Sequence, residues 1–276
     1  MVVGELIQAG QERPPVVVRR SRADKGRDGR MLLLHGLANN SGVWSRLVGQ
    51  DRGLPGEIWT ADLPWRSHGP SDWGHGRDLL SPVRAALTEA GGFDVVVAHS
   101  FTSNVLLRLL TEDTGRDLLE RIRALVLVAP FYRGAPTEFR GDTVPGLYDD
   151  FVRVMQEGIA VQVRPGTSPD MVHAMAQRVC DQVGPYGWLR VSDTYLRTPW
   201  LRLDRLGIPV LVVAGRRDRS APESERLAGS LPLGSFAVNA RCGHFPMLED
   251  VDWFAGVLRS HVMSVEPASP CPTGAA

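Results

Sequence analysis

Along most of the chain, short runs of valine, leucine and isoleucine alternate with longer stretches in which apolar residues recur at helical spacing. Continuous apolar runs suit strands buried on both faces, as in a parallel sheet, and the helical stretches suit the crossovers that such a sheet requires. The pattern predicts strands near 5–9, 15–20, 30–35, 57–62, 94–99, 124–129, 209–215 and 235–240. The first two alternate more strongly and lie close together, which predicts an antiparallel hairpin at one edge. Helices are predicted over 41–50, 77–90, the stretch after Ser100, 220–231 and 248–262. Ser220 with Glu223 reads as a capping box, and Pro222 falls in the same first turn. The fold class is α/β, with eight mostly parallel strands and helices on both faces.

The rhythm breaks between 134 and 206. A connection that long needs structure of its own, and LYDDFVRVMQEGIA (147–160) and SPDMVHAMAQRVCDQV (168–183) have amphipathic spacing. The expected organisation is a core of 1–133 and 207–264 with a helical cap inserted at 134–206. The small, proline-rich tail 265–276 is expected to be disordered. Met155, Met171, Met175, Trp188, Tyr195 and Trp200 of the cap could face its own core or a ligand.

Composition narrows the classes. Lys plus Arg and Asp plus Glu both number 31 in 276 residues, so no basic face for nucleic acid is indicated. Cys180, Cys242 and Cys271 fit neither a disulfide framework nor a zinc site and read as reduced thiols in a cytoplasmic protein. The N-terminus lacks a basic region followed by an apolar core, and the run ALVLVAPF (124–131) is too short to span a bilayer. No glycine-rich phosphate loop follows the first strands, which argues against a nucleotide site. The oligomeric state stays open.

Acyl transfer by a hydroxyl needs a nucleophile, a base, a carboxylate that orients the base, and donors for the developing oxyanion. Candidates fall at strand ends. Ser100, in DVVVAHSFTSN, ends one strand and opens a helix, where it is either a nucleophile or a helix N-cap. Asp218, in AGRRDRSAP, follows the next-to-last strand, and could instead be a cap or a partner of Arg216, Arg217 or Arg219. His244, in ARCGHFPMLED, follows the last strand.

With LLLHGLANNSGVW (32–44), DLPWRSHGPSD (62–72), AHSFTS (98–103), AGRRD (214–218) and GHFPMLED (243–250) in this order, the chain resembles the capped, serine-nucleophile branch of the α/β-hydrolase superfamily. The resemblance implies the α/β-hydrolase fold, Ser100 as nucleophile, His244 as base and then acid, and Asp218 as orienting carboxylate. It also implies an oxyanion hole from the backbone N–H groups of Leu37 and Phe101, with no metal or organic cofactor. His35 and Gly36 would shape the oxyanion loop, and His68, His75 and His99 read as structural or solvated. Candidates for lining the substrate pocket are His35, Gly36, Trp65, Met155, Trp188 and Phe245. The apolar residues at 37 and 101, with the cap's methionines and rings, favour an apolar small-molecule substrate.

Two departures from the family pattern stand out. The elbow, usually G-x-S-x-G, here reads A-H-S-F-T, with Thr102 and Ser103 where glycines are usual. Either the turn is more open, or Thr102 points its hydroxyl into the helix packing. In the loop after the 57–62 strand, Trp65, Arg66 and Ser67 replace one glycine before His68-Gly69, as a narrowed entrance or a surface excursion. The leading expectation is hydrolysis of an ester, lactone or thioester. Carbon-carbon bond hydrolysis, which Ser100-Phe101 resembles, and a non-hydrolytic receptor, cyclase or lyase role are the alternatives.

Overall fold

The computed structural model describes residues 16–23, 28–66, 73–76 and 78–265. The strand expected at 5–9 and the tail from 266 lie outside them. Among the described residues seven strands, not eight, form one sheet: β1 (Val17–Ala23), β2 (Arg30–Leu34), β3 (Glu57–Asp62), β4 (Val95–His99), β5 (Ala124–Val128), β6 (Val210–Gly215) and β7 (Gly234–Asn239). Their order is β1-β3-β2-β4-β5-β6-β7. Every neighbouring pair is parallel except β1 with β3, where Val17 lies opposite Asp62. β1 therefore pairs with β3, while the other half of the expected hairpin is outside the described residues. Its alternating pattern belongs to an exposed edge: Arg19 and Arg20 reach Asp62 and Glu57 at 2.7 and 3.1 Å.

β4, β5 and β6 are buried at every position, as their unbroken apolar runs require. The two-residue period of a strand divides them between two cores. Leu32, Leu34, Val96, Ala98, Leu125 and Leu127 face one core, and Met31, Leu33, Val95, Val97 and Val126 face the other.

The helices are α1 (Ser45–Val48), α2 (Leu80–Thr88), α3 (Phe101–Thr111), α4 (Arg116–Leu119), α5 (Thr143–Ala160), α6 (Pro169–Leu196), α7 (Ala221–Ser230), α8 (Pro246–Glu249) and α9 (Val251–Ser264). α2 and α3 cover the first core with Val83, Leu87, Val105 and Leu106, and α9 covers the second with Phe254 and Leu258. Pro222 sits in the first turn of α7 as expected, but the capping box does not form. The Ser220 hydroxyl donates to Asp218 at 2.6 Å, and Glu223 instead accepts from the Tyr132 N–H at 2.9 Å and the Tyr195 hydroxyl at 2.6 Å. Ser220 turns back to Asp218, two residues earlier, and Glu223 is drawn to partners far along the chain that the capping-box spacing does not reveal.

Between β5 and β6, α5 and α6 pack on each other. α6 breaks at Gly184 (φ 69°), immediately before Pro185, which cannot donate to the helix. Close approach fixes this insertion to the rest of the chain. A Cβ on Gly158 would lie 2.5 Å from the Phe245 ring, and one on Gly74 would lie 2.4 Å from the Gly187 nitrogen. Among the described residues, no helix is long and apolar enough to cross a membrane.

Candidate active site

Ser100 stands between β4 and α3 with φ 53° and ψ −125°, a conformation that is costly for a residue with a side chain. Its surroundings over-determine that geometry. The Ser100 N–H donates to the Val128 carbonyl at 2.7 Å, the Ser103 N–H to the Ser100 carbonyl at 2.8 Å, and the Ser103 hydroxyl to the Ala98 carbonyl at 2.7 Å. Gly36 passes so closely that a Cβ there would lie 2.8 Å from His99 Nδ1 and 3.2 Å from Ser100 Cβ. The Ser100 side chain makes no capping bond to α3. Its Oγ lies 2.9 Å from His244 Nε2 instead.

His244 sits in the loop between β7 and α8, and its Nδ1 is 2.8 Å from Asp218 Oδ2. Asp218, in the loop after β6, also accepts from the Ser220 N–H at 3.1 Å. All three are buried, at 8 % (Ser100), 6 % (His244) and 5 % (Asp218) exposure, so water competes little for these bonds. Burial alone would lower the His244 pKa, but the Asp218 charge and hydrogen bond, followed by the charges of Glu157 and Glu249, raise it above the ordinary imidazole value. Burial would likewise raise Asp218, yet the charge and hydrogen bond of His244 and the bonds from Ser220 hold it below the usual carboxylate value. The pair is thus tuned toward a carboxylate beside a basic imidazole.

Sequence reasoning passed over several supports of this arrangement. His99 Nε2 donates to the His244 carbonyl at 3.1 Å, and burial drives its own pKa far down, so the ring is neutral. Glu249 accepts from the Gly243 and Phe245 N–H groups at 2.8 and 3.0 Å, gripping the histidine loop on both sides. Glu157 of α5 is exposed as a residue, but its carboxylate points inward: a Cβ on Gly243 would lie 2.7 Å from it. His99 is buried and structural, one of the two readings its sequence allows, but its bond to the histidine loop is not visible there. Glu157 carries no local signal.

A cavity of about 540 Å³ opens over Ser100 and His244, between the strand ends and the insertion. Leu37 and Phe101 line it, and among the described residues neither backbone N–H donates to a protein acceptor. Phe131, Phe151, Trp188 and Val191 add apolar wall, whereas Arg133, Glu138, Arg140, Asp150, Arg219 and Glu223 give the rest both signs of charge. The expectation of an apolar lining is corrected to that extent. Trp188 faces the cavity. His35, Trp65, Met155 and Phe245, expected there, are packed beneath it at 5 % exposure or less, and Gly36 borders Ser100 without lining the space. Of the other insertion residues, Tyr195 lines the cavity, and Met171, Met175 and Trp200 are exposed on the outer surface. Arg219 pairs with Asp150 of α5 at 2.9 Å and leaves Asp218 to His244.

His75 is exposed and packs edge-on against Tyr186, and His68 lies outside the described residues. Cys180 and Cys242 are free and buried, and burial pushes their thiols up to about 12 and about 11, so neither is a thiolate. Among the described residues, no three His, Cys, Asp or Glu side chains are grouped to hold a metal ion.

Comparison with known proteins adds relatives to this geometry. The model of the alpha/beta hydrolase family matches residues 31–257. A pimeloyl-[acyl-carrier protein] methyl ester esterase of Nitrosomonas europaea is 27 % identical over 244 residues, spanning 81 % of this chain and 92 % of its own. Among solved structures, an esterase from Exiguobacterium antarcticum superposes with a TM-score of 0.66 at 15 % identity, covering 90 % of this chain and 95 % of its own. A putative aryl esterase from Burkholderia cenocepacia gives 0.62 at 18 %, covering 90 % and 94 %.

Proposed function

This chain belongs to the alpha/beta hydrolase family, and we propose that it is a serine hydrolase acting on an ester, lactone or thioester through an acyl-enzyme on Ser100. The observation that carries this reading is the continuous chain of short contacts, Ser100 Oγ to His244 Nε2 at 2.9 Å and His244 Nδ1 to Asp218 Oδ2 at 2.8 Å, at the floor of a cavity.

As Ser100 Oγ attacks the substrate carbonyl, His244 Nε2 takes its proton. Asp218 keeps the Nδ1–H oriented and stabilises the imidazolium that forms. The carbonyl oxygen becomes an oxyanion facing the Leu37 and Phe101 N–H groups. Donors fixed in a buried site stabilise such charge strongly, and losing one costs about 10²–10³ in rate. His244 then protonates the departing alcohol, thiol or lactone oxygen, and water, activated by the same ring, releases the acid. No step requires a metal or organic cofactor.

The substrate is a small molecule whose apolar portion fits beside Phe101, Phe131, Phe151 and Trp188. The charged residues opposite leave room for a polar group at its far end. Methyl ester hydrolysis by the Nitrosomonas europaea relative supports a carboxylic ester over the other two classes. The balanced charge offers no basic face for nucleic acid, and a cytoplasmic location fits the free, buried cysteines.

The test is steady-state hydrolysis of p-nitrophenyl esters of increasing acyl length. Turnover that disappears in Ser100→Ala, with the circular dichroism spectrum unchanged, is the expected result. Turnover that survives in Ser100→Ala, or none in wild type with any acyl group, contradicts the reading.

A further inference from the structure

The two departures from the family pattern, the threonine in the elbow and the tryptophan in the 63–66 loop, touch each other. Thr102 is fully buried. Its Oγ1 donates to the His35 carbonyl at 2.5 Å and accepts from the Trp65 indole N–H at 2.9 Å. A threonine hydroxyl has one proton to give and lone pairs to receive, and here both capacities are used.

The same loop grips the chain beyond His35. The Trp65 carbonyl accepts from the Ala38 N–H at 2.8 Å. His35 Nε2 accepts from the Leu63 N–H at 2.9 Å, and its Nδ1–H donates to the Gly36 carbonyl at 2.7 Å. This assignment needs a neutral ring, and burial lowers the His35 pKa to about 4. Residues 35–38, with Ala38 at φ 53°, are therefore held on one side by α3 and on the other by the 63–66 loop. Leu37, whose N–H faces no protein acceptor among the described residues, lies between the two anchors. The Trp65 ring also packs edge-on against Phe101, their centroids 5.4 Å apart.

We propose that Thr102 is a positioning residue for the oxyanion hole, with Trp65 as its brace: the threonine hydroxyl ties the elbow helix to the strand end that carries the Leu37 N–H. This rests on the acyl-transfer reading above. Where the family places glycine and gains closeness, this chain gains a hydrogen bond that fixes one donor relative to the nucleophile.

The experiment compares Thr102→Val, which keeps the shape and removes the hydroxyl, with Thr102→Ser, Trp65→Phe and the Thr102→Val/Trp65→Phe double variant. The readouts are kcat and KM on a p-nitrophenyl ester and amide hydrogen exchange at residues 36–39. Thr102→Val is expected to lose about 10- to 100-fold in kcat at nearly constant KM, the signature of a contact expressed in the transition state. Thr102→Ser should stay within about threefold of wild type, and the double variant should lose less than the product of the single losses, because both changes break one network. Exchange at 36–39 should quicken in Thr102→Val by more than its lowered melting temperature quickens exchange in β4 and β5, and not in Thr102→Ser.

Equal kcat losses in Val and Ser, a loss carried by KM alone, or unchanged exchange in Thr102→Val would overturn the proposal while leaving Ser100 as nucleophile. If wild type turns over no ester, the acyl-transfer reading fails by that result, and the exchange comparison alone decides whether the tie exists.

Discussion

The two walls of the cavity are built differently. The strand-end wall is a set of backbone turns held by hydrogen bonds of 2.5–3.1 Å among fully buried groups: Ser100 to Val128, Ser103 to Ala98, Thr102 to His35, His99 to His244. The insertion wall is held by shape, with Gly158 against the Phe245 ring and Gly187 against Gly74 and Trp73. Polar links supplement that shape, among them the meeting of Arg133, Tyr195 and Glu223, the Arg219–Asp150 pair, and Arg190 donating to the Gly74 carbonyl at 3.1 Å. Hydrogen bonds of that kind fix angles, which attack on a carbonyl demands. Glycine contacts fix only distance, which suffices for a surface that selects among substrates. Under the proposed function, chemistry and selectivity are thus assigned to different kinds of interaction.

Changes in the strand-end wall should have the largest effects. His244→Ala is expected to lower kcat by about 10³-fold or more, with the melting temperature changed by only a few degrees, since the triad adds function more than stability. Asp218→Asn should cost somewhat less, because the His99 N–H still holds the His244 backbone carbonyl and the asparagine amide keeps a side-chain oxygen beside the ring. A comparable loss accompanied by unfolding, seen by circular dichroism, would make these residues structural.

Thr102→Gly restores the family's usual elbow residue. It should nevertheless lower turnover by about tenfold or more, since the indole N–H and the His35 carbonyl lose their shared partner in a buried site. A faster enzyme would mean that the threonine obstructs the turn.

On the insertion wall the readout changes. Gly158→Ala places a methyl 2.5 Å from the Phe245 ring. Overpacking of this kind costs about 1–3 kcal/mol, to be read from the denaturant midpoint, and it should disturb KM more than kcat. A variant as stable as wild type would show that this contact is not what holds α5.

The smallest effect is expected at Glu157, which couples the walls by charge. His244 must be neutral to act as base, so kcat/KM rises with pH through its raised pKa, and the acid limb lies above the ordinary imidazole range. Glu157→Gln removes one of the negative charges behind that shift and should move the limb to lower pH. A limb that moves up or stays fixed would separate Glu157 from the histidine.

The same division governs what the sequence revealed. β4, β5 and β6 announce themselves because burial on both faces leaves no polar position before His99, and the turns after β4, β6 and β7 place Ser100, Asp218 and His244, where the fold sets both Ser100 and Asp218 within 3 Å of His244. α5 and the first part of α6 are legible as helices from their periodicity, whereas the continuation of α6 beyond Gly184 and Pro185 is not. Which way their residues face is not. Met155 and Trp188 look alike in a helical pattern, yet one is packed with Phe245 and the other lines the cavity. The charged rim was invisible for the same reason. The Ser220–Glu223 spacing misled because Glu223 is claimed by Tyr132 and Tyr195, far away in sequence. The tie between Thr102 and Trp65 joins residues 37 positions apart and appears only once α3 is laid against the 63–66 loop.

The central claim, that Ser100 is an activated nucleophile, is most directly tested by intact-mass measurement after exposure to a fluorophosphonate, with Ser100→Ala alongside. A single adduct on the wild type that is absent from the variant is the predicted result. A folded wild type that takes no adduct, or a variant that takes the same one, would contradict it.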